Sequence, residues 1–344
     1  MTIRENVALG PLTTLGVGGA ARYFVAAETE ADVAEAVRWA EERGLPLFVL
    51  GGGSNLLVGD DGFPGLVLQI GIKGVEYRGG GLFEVGAGEL WDEFVDRAVK
   101  TGMQGVECLA GIPGSVGGTP VQNVGAYGQE VAETIVSVRA YDREAKRFVE
   151  LDREACKFRY RRSLFNKDEP DRYVVTLVRF ELHPGAQAQV TYGDVKRYFV
   201  DGLEHHDLES VASAVREIRR GKGMLIVEGD PDCRSAGSFF KNPVVGAERL
   251  SQIAAAAGVE EQAVPLWAAA DGAVKLSAAW LIERAGFGKG FADGAAGISS
   301  RHTLALINRG GAKAADIERL QERIRSGVRE RFGVELEREP VKVG

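Results

Sequence analysis

One stretch decides the fold of this chain, namely Leu47-Phe48-Val49-Leu50-Gly51-Gly52-Gly53-Ser54-Asn55. Its four apolar residues predict a short buried strand, and three consecutive glycines follow that strand directly. Backbone N–H groups in such a loop can point at an anion, and Ser54 and Asn55 add side-chain donors. A tight turn is the alternative interpretation. The stretch therefore predicts either a turn or a phosphate-binding loop.

The residues on either side of this stretch predict a small β-α-β layer. Residues 29–44 have helical spacing, with Thr29 as a suitable N-cap and Gly44 as a suitable end. Residues 66–70 predict a further strand. A match to the dinucleotide pattern G-x-G-x-x-A at 16–21 is rejected, because a strand-like segment follows it where that motif requires a helix.

The next part of the chain predicts strands joined by short turns. Strand patterns occur at residues 83–85, 135–141, 147–151 and 173–182, and helical patterns at 90–102 and 207–220. Consecutive strands of this kind indicate an α+β domain with a largely antiparallel sheet.

The last third of the chain predicts two helices, over 276–285 and 314–332, and a final strand. Val334 and Leu336 fall on one face of that strand, which should bend or end at Pro340 because proline donates no ladder hydrogen bond. Glu339 lies at this break, where it either faces a cleft or is a solvated edge charge. We expect domains over 1–75, 76–222 and 223–326, with a C-terminal strand at about 327–344 returning to the active site.

The composition is that of a soluble globular protein. The formal net charge of −7 argues against a broad non-specific nucleic-acid surface. The three cysteines form no C-x-x-C pattern and are odd in number, which predicts a reducing compartment without structural disulfides. No secretory leader and no apolar run of about 20 residues is recognisable, so we expect a cytoplasmic protein without a membrane partner.

Glycine is the unusual residue, with 46 copies. Two further glycine loops, at 111–118 and 122–128, follow the first, and the last of them carries amide groups suited to a heterocycle. Each could be a tight turn, but three loops within 130 residues suggest a large cofactor with a diphosphate and a ring. No spacing typical of metal ligands and no hydrolase motif occurs, so no metal is expected.

Two segments carry candidate catalytic groups. The first is Gly237-Ser238-Phe239-Phe240-Lys241-Asn242-Pro243, in which Ser238 offers a transferable proton and the aromatics can exclude water. A polar turn with two core phenylalanines is the alternative. The second is Arg159-Tyr160-Arg161-Arg162-Ser163, a basic run that is either a solvated face or a source of one inward arginine for a carboxylate.

These segments together resemble the UDP-N-acetylenolpyruvoylglucosamine reductase family. The matching motifs occur in family order across nearly the whole chain, at 13–19, 51–57, 111–118, 122–128, 160–163, 237–243, 300–308 and 336–341. The segment Thr191-Tyr192-Gly193-Asp194 resembles the subclass that closes a tyrosine over its substrate.

The resemblance implies non-covalent FAD in an α+β fold of the vanillyl-alcohol-oxidase type, with a separate C-terminal substrate domain. The segments 1–75 and 76–222 would bind FAD, and 223–326 would bind substrate. NADPH would reduce FAD, and the enolpyruvyl ether of UDP-N-acetylglucosamine would then accept hydride from flavin N5 at its β-carbon, giving UDP-N-acetylmuramate. A monomer is expected.

The resemblance also implies residue roles. Arg161 would stabilise the charge that gathers on the substrate carboxylate, Glu339 would assist it, and Ser238 would protonate the α-carbon. The implied cofactor contacts are Gly51, Gly52, Gly53, Ser54, Asn55, Gly114, Ser115, Gly118, Gln122, Asn123, Gly125, Ala126, Tyr127 and Arg219. The implied substrate contacts are Tyr192, Lys222 and Asn242.

The chain departs from the family pattern at two places. Lys222-Gly223-Met224 lacks the proline expected after the lysine, and Arg234 stands where a small residue is common. Two other functions remain as alternatives: an oxidase of the same fold that uses O₂, and a flavin- or nucleotide-sugar-binding regulator without activity. Reoxidation by oxygen would indicate the first, and loss of Arg161, Ser238 or Glu339 would favour the second.

Overall fold

The computed structural model describes residues 1–185, 187–200 and 205–344. They form two compact units. The first comprises Met1–Val7, Ala20–Gly53 and Phe63–Gly221, and the second comprises Ala8–Gly19, Ser54–Gly62 and Lys222–Gly344. The chain therefore contributes two short N-terminal segments to the second unit. The three-domain division of the sequence stays a prediction.

The first sheet of the first unit contains the strand that precedes the glycine stretch. Its strand order is Arg4–Ala8, Ala20–Ala27, Phe63–Ile70 and Leu47–Leu50. The last three run parallel, with Phe63–Ile70 in the middle. Helix Glu30–Glu41 begins with a capping box, in which Thr29 accepts from the Asp32 N–H and Asp32 accepts from the Thr29 N–H. The predicted β-α-β layer is confirmed, as is the rejection of a dinucleotide motif at 16–21.

The second sheet of the first unit is antiparallel, as predicted. Its strand order is Arg147–Asp152, Ile135–Asp142, Tyr173–Glu181, Leu82–Gly86 and Val75–Gly79. Short strand pairs join Met103–Gln104 with His183–Pro184, Gly125–Ala126 with Gln129–Glu130, and Gln187–Gln189 with His205–Asp207. The further helices are Trp91–Lys100, Thr119–Gln122, Gly193–Tyr198 and Leu208–Gly221, with a π-helical turn at Leu164–Asp168.

Helix Trp91–Lys100 connects the hydrophobic core to the second glycine loop. Phe94 packs against Phe83 and Phe180 of the antiparallel sheet, with ring centroids 5.7 and 5.0 Å away. The first residues of the helix hold the loop, because Asp92 Oδ1 accepts from the Gly111 N–H at 2.6 Å. Burial of these aromatic rings thereby fixes the position of the loop.

The second unit consists of small antiparallel sheets around a long helix. One sheet has the order Val244–Gly246, Ala273–Leu276 and Leu266–Ala268, and another the order Ala292–Asp293, Ala296–Ile298 and Leu306–Asn308. The helices are Leu250–Ala257, Ala278–Arg284 and Ala314–Phe332. The last of these has the predicted bounds, and its apolar face, which includes Ile317, Leu320 and Ile324, is fully buried.

The C-terminal segment differs from its prediction. The strand expected at about 327–344 is wrong over 327–332, because the apolar spacing of Ile324, Val328 and Phe332 continues the helix. Val334 and Leu336 are buried as expected, but the residues around them form no strand, and Arg338 makes only an isolated antiparallel bridge with Phe240. The strand is limited to Val341–Val343, after Pro340, and pairs in parallel with Leu56–Val58.

Two further findings concern the cysteines and the helices. Cys108, Cys156 and Cys233 are buried free thiols. Among the described residues, no helix combines the length and apolar character that spanning a bilayer requires.

Candidate active site

The first two glycine loops meet in the first unit. A Cβ placed on Gly52 would lie 2.5 Å from the Cα of Gly114, and one placed on Gly51 would lie 2.7 Å from the Ser115 hydroxyl oxygen. A side chain at position 52 would overlap backbone atoms of the second loop, so the crossing requires glycine there, whereas a side chain at position 51 would displace the Ser115 hydroxyl. The Trp91 N–H, at the start of its helix, donates to the Gly114 carbonyl at 3.0 Å and fixes the crossing. The loops thus present closely spaced backbone groups, as a phosphate site requires.

Ser115 supplies a polar group inside this crossing. It is buried, and its hydroxyl has no hydrogen-bond partner within the protein. The oxygen also lies 3.9 Å from where a Cβ of Gly118 would stand. An unpaired buried hydroxyl costs about 1–3 kcal/mol, so such a group implies a ligand that satisfies it. The residues present therefore fit the diphosphate of the expected FAD.

Ser54 and Asn55, which end the stretch, belong to the second unit. The Asn55 carbonyl accepts from the Val341 N–H at 2.9 Å, two residues after Glu339. The Thr14 hydroxyl donates to the Ser235 carbonyl at 2.6 Å and lies 3.4 Å from the Ser54 carbonyl. The buried Asn55 Nδ2 has no partner in the structure. A second unsatisfied donor therefore lies where three of the family motifs converge.

Asn123 holds the third glycine loop together. It is buried, and its backbone has a φ of 42°. Its Nδ2 donates to Glu130 Oε2 at 2.9 Å and to the Arg159 carbonyl at 3.1 Å, and its Oδ1 accepts from the Ala132 N–H at 3.2 Å. The side chain is thus engaged with protein groups. Its role as a cofactor contact stays a prediction, and the structure assigns its amide to loop positioning.

Arg161 lies against the same loop. Its Nη2 donates to the Gly125 carbonyl at 2.7 Å, and its guanidinium lies over the Tyr160 ring at 5.3 Å. The residue is half-buried and has a φ of 53°, in the left-handed region that arginine rarely occupies. Such strain is concentrated at functional positions. The cation is therefore held at a defined place beside the loop, rather than on a solvated face.

The neighbours of Arg161 explain why this arginine, and not the next one, faces the loop. Arg162 Nη2 pairs with Asp168 Oδ1 at 2.7 Å. Ser163 is fully buried, and its hydroxyl donates to the Val121 carbonyl at 2.7 Å while accepting from the Phe165 N–H at 3.1 Å. The serine thus fastens the turn to the short helix that precedes the third loop.

Arg219 connects the second and third loops. Its Nε donates to the Gly111 carbonyl at 2.9 Å, and its guanidinium also hydrogen-bonds the Tyr127 side chain. Burial lowers the pKa of Arg219, and burial raises the pKa of the Tyr127 hydroxyl. Tyr192 packs edge-on against Tyr127, with centroids 5.6 Å apart, and is 44% exposed. The predicted substrate tyrosine therefore lies beside the predicted cofactor loops.

Ser238 and Glu339 lie on adjacent segments of the second unit. The Glu339 N–H donates to the Phe239 carbonyl at 2.9 Å, and the Lys241 N–H donates to the Glu337 carbonyl at 2.9 Å. Both Ser238 and Glu339 are half-buried. Phe239 is fully buried, so it anchors the serine segment in the core. This pairing joins the backbones of two segments that are about 100 positions apart in the sequence.

The remaining predicted residues of the second unit have identifiable positions. Asn242 Oδ1 accepts from the Ala278 N–H at 3.0 Å and so supports the start of a helix. Lys222 is half-buried and precedes Gly223, which is buried. Arg234 is exposed, and its carbonyl accepts from the Asn308 N–H at 2.9 Å. Arg161 belongs to the first unit, whereas Ser238 and Glu339 belong to the second.

Sequence reasoning missed two polar groups. Asn308 Nδ2 donates to the carbonyls of Leu15 and Gly16 at 3.3 and 3.1 Å, which gives the motifs at 13–19 and 300–308 a structural role. Arg301 pairs with Asp230 and Asp232. About 70 residues separate Arg301 from the two aspartates, so no local pattern predicts this ion pair. The matched motif at 300–308 was the only sequence signal for either group.

Two family models match the chain. Residues 21–149 match an FAD binding domain, and residues 230–343 match the C-terminal domain of UDP-N-acetylenolpyruvoylglucosamine reductase. The first match includes all three glycine loops, and the second includes Ser238 and Glu339.

Curated proteins and a solved structure extend the similarity over the whole chain. UDP-N-acetylenolpyruvoylglucosamine reductase of Streptomyces coelicolor is 48% identical, covering 99% of this chain and 90% of the relative. The protein of the same name from Pseudomonas aeruginosa is 41% identical, covering 99% and 98%. A crystal structure of UDP-N-acetylenolpyruvylglucosamine reductase from Thermus caldophilus has a TM-score of 0.70 and 29% identity, covering 100% of both chains.

Proposed function

The chain belongs to the UDP-N-acetylenolpyruvoylglucosamine reductase family, and we propose that it reduces UDP-N-acetylglucosamine enolpyruvate to UDP-N-acetylmuramate with electrons from NADPH. It is an FAD-dependent oxidoreductase of peptidoglycan precursor synthesis. The observation that carries the proposal is the hydrogen bond between the Glu339 N–H and the Phe239 carbonyl, because it joins the backbone of the segment that carries Ser238 to the segment that carries Glu339.

The glycine loops support non-covalent binding of FAD. Gly52 allows the first loop to approach Gly114 closely, and the backbone N–H groups of the loops together with the Ser115 hydroxyl would donate to a diphosphate. Arg219 would hold the second and third loops in register around the ring system. When bound, FAD supplies the hydride that the enolpyruvyl β-carbon accepts.

Arg161 and Glu339 would manage the negative charge of the reaction. Addition of hydride to the β-carbon pushes electrons through the α-carbon into the substrate carboxylate, which becomes enolate-like. A guanidinium fixed by the Gly125 carbonyl needs no reorganisation when that charge develops. Glu339 would assist it, protonated or tightly hydrogen-bonded beside the substrate.

Ser238 would complete the reaction by giving its proton to the α-carbon. A serine hydroxyl is a weak acid near neutral pH, so the carbanion has to be held on the enzyme until the transfer. The buried Phe239 anchors the backbone next to Ser238, which would help to position the hydroxyl for the transfer.

Tyr192, Lys222 and Asn242 would bind the UDP-sugar. The exposed Tyr192 ring can cover a ligand, while the Lys222 ammonium suits a diphosphate. The substrate would be a water-soluble nucleotide sugar, as expected for an enzyme in the cytoplasm. A monomer stays the expected oligomeric state.

Anaerobic half-reactions test this function. The purified protein should be yellow, NADPH should bleach it, and only the enolpyruvyl UDP-sugar should restore the colour. Recolouring by O₂ but not by the UDP-sugar would support an oxidase instead. A colourless protein that yields no FAD on extraction would refute flavin dependence.

A further inference from the structure

A charged cluster in the second unit has no role in the chemistry above. It consists of Asp230, Asp232, Ser300 and Arg301, and we call it the acidic clamp. Arg301 Nε pairs with Asp232 Oδ2 at 3.0 Å, and Arg301 Nη2 pairs with Asp230. The Ser300 hydroxyl donates to Asp232 Oδ2 at 2.6 Å, and the Ser300 N–H donates to Asp232 Oδ1 at 3.2 Å.

Both carboxylates of the clamp are held in their charged form. The hydrogen bond from Arg301 lowers the pKa of Asp230. Burial opposes ionisation of Asp232, but the hydrogen bonds from Ser300 and Arg301 outweigh it and lower the pKa of that group. Asp232 is buried, whereas Arg301 and Asp230 are partly exposed. Ion pairs of this kind contribute little net stability, and some of them define one local geometry among alternatives. The clamp is therefore expected to specify a local geometry.

Gly223 is the residue whose geometry the clamp specifies. Its φ is +65°, which proline cannot adopt. The turn after Lys222 therefore differs from the turn that the expected proline would form. A Cβ on Gly223 would lie 3.0 Å from the Asp232 Cβ and 3.2 Å from Arg301 Nε. The guanidinium thus lies directly against the turn that follows Lys222.

A second contact holds the same segment from the other side. The buried Cys233 thiol donates to the Leu225 carbonyl at 2.7 Å. Burial raises the pKa of this thiol, so the group remains a protonated donor. Gly223 and Leu225 are both fixed by residues of one short segment, 230–233, and by Arg301.

We propose that Arg301 is a positioning residue for substrate binding, which acts through the Gly223 turn to place Lys222 at the diphosphate of the UDP-sugar. This inference rests on the proposed function, because it assumes that Lys222 contacts the diphosphate. Lysine has a flexible four-carbon side chain whose ordering costs entropy. A fixed turn at its base reduces the number of positions that the ammonium samples before the ligand binds.

A double-mutant cycle on the FAD-loaded enzyme tests the coupling, with UDP as the probe and calorimetry as the readout. Lys222→Met should weaken UDP binding on the order of tenfold, since a charge-assisted contact is lost. Arg301→Met should weaken UDP binding roughly three- to tenfold, because the Gly223 turn no longer positions Lys222. The double variant should bind UDP no more weakly than Lys222→Met alone.

Three further variants guard against a folding artefact. Arg301→Lys keeps one charge but cannot bridge both carboxylates, so it should recover only part of the affinity. Gly223→Ala keeps all the charges but places a methyl group against Asp232 and Arg301 at a left-handed φ. It should therefore disturb the turn and weaken UDP binding, with no further loss when it is combined with Lys222→Met. Arg319→Met is the matched control, because this exposed arginine also pairs with two aspartates, Asp293 and Asp316, and should leave UDP affinity unchanged. FAD content and melting temperature report folding for each variant.

The outcomes separate this inference from the proposed function. Independent effects that multiply in the double variant, or wild-type UDP affinity in both Arg301→Met and Gly223→Ala, would overturn the positioning role. An unchanged affinity in Lys222→Met would overturn it as well. The proposed function is judged separately, by whether the enolpyruvyl UDP-sugar reoxidises the wild-type enzyme.

Discussion

Gly52→Ala should weaken FAD binding while leaving the fold intact. The new methyl carbon would stand 2.5 Å from the Gly114 Cα, 2.7 Å from the Gly114 carbonyl carbon and 2.8 Å from the Ser115 nitrogen. All three neighbours are backbone atoms of the second glycine loop, so the two loops have to separate. Overpacking of this kind typically costs about 1–3 kcal/mol. If the whole cost reduces the free energy of FAD binding, the affinity falls roughly 5- to 150-fold.

The assay is titration of the apoprotein with FAD, followed by flavin fluorescence, together with the melting temperature of the apoprotein. Gly288→Ala is the matched control, because a Cβ at that glycine meets no atom within 4 Å and its backbone is not left-handed. This control should bind FAD as the wild type does. Wild-type affinity in Gly52→Ala would refute the interpretation of the crossing as a cofactor site.

Three other predictions concern Ser115, Arg161 and two buried cysteines. Ser115→Ala removes a buried hydroxyl without a protein partner, so the apoprotein should melt at the same or a higher temperature while FAD affinity falls several-fold. A lower melting temperature of the apoprotein would contradict this. In Arg161→Lys, NADPH should still bleach the flavin, but reoxidation by the enolpyruvyl substrate should be at least tenfold slower, because lysine cannot reproduce the guanidinium contact with Gly125. Reoxidation at the wild-type rate in stopped flow would exclude Arg161 as the stabilising cation. Burial raises the pKa of Cys108 and Cys156 to about 12, so iodoacetamide at pH 8 should label them only after denaturation, as mass spectrometry can show.

Local sequence patterns were sufficient for most of the helices. The helix at Glu30–Glu41 was predicted because Thr29 and Asp32 form its cap within a few residues. The helix at Ala314–Phe332 was predicted because its apolar period is unbroken over 19 residues. The end of the chain was harder, because whether alternating residues form a strand depends on a partner. That partner, Leu56–Val58, lies almost 300 residues earlier.

The candidate site was predictable in its residue types but not in its connections. Glycine loops and a serine beside phenylalanines are visible as motifs, and the catalytic and binding roles assigned to them stay predictions. The use of the Asn123 amide within its own loop was not visible, since its partners, Glu130 and the Arg159 carbonyl, come from two other segments. The acidic clamp was missed for the same reason, because nothing local links Asp232 to Arg301.

The most direct test of the account is the reoxidation of NADPH-reduced Ser238→Ala by the enolpyruvyl UDP-sugar, measured anaerobically by stopped flow. Bleaching of the flavin by NADPH should proceed as in the wild type, because the serine belongs to the second half-reaction. Reoxidation should be slower by about 10²–10⁴-fold, the usual contribution of a positioned general acid. Reoxidation and product formation at the wild-type rate would contradict the assignment of Ser238 as the proton donor.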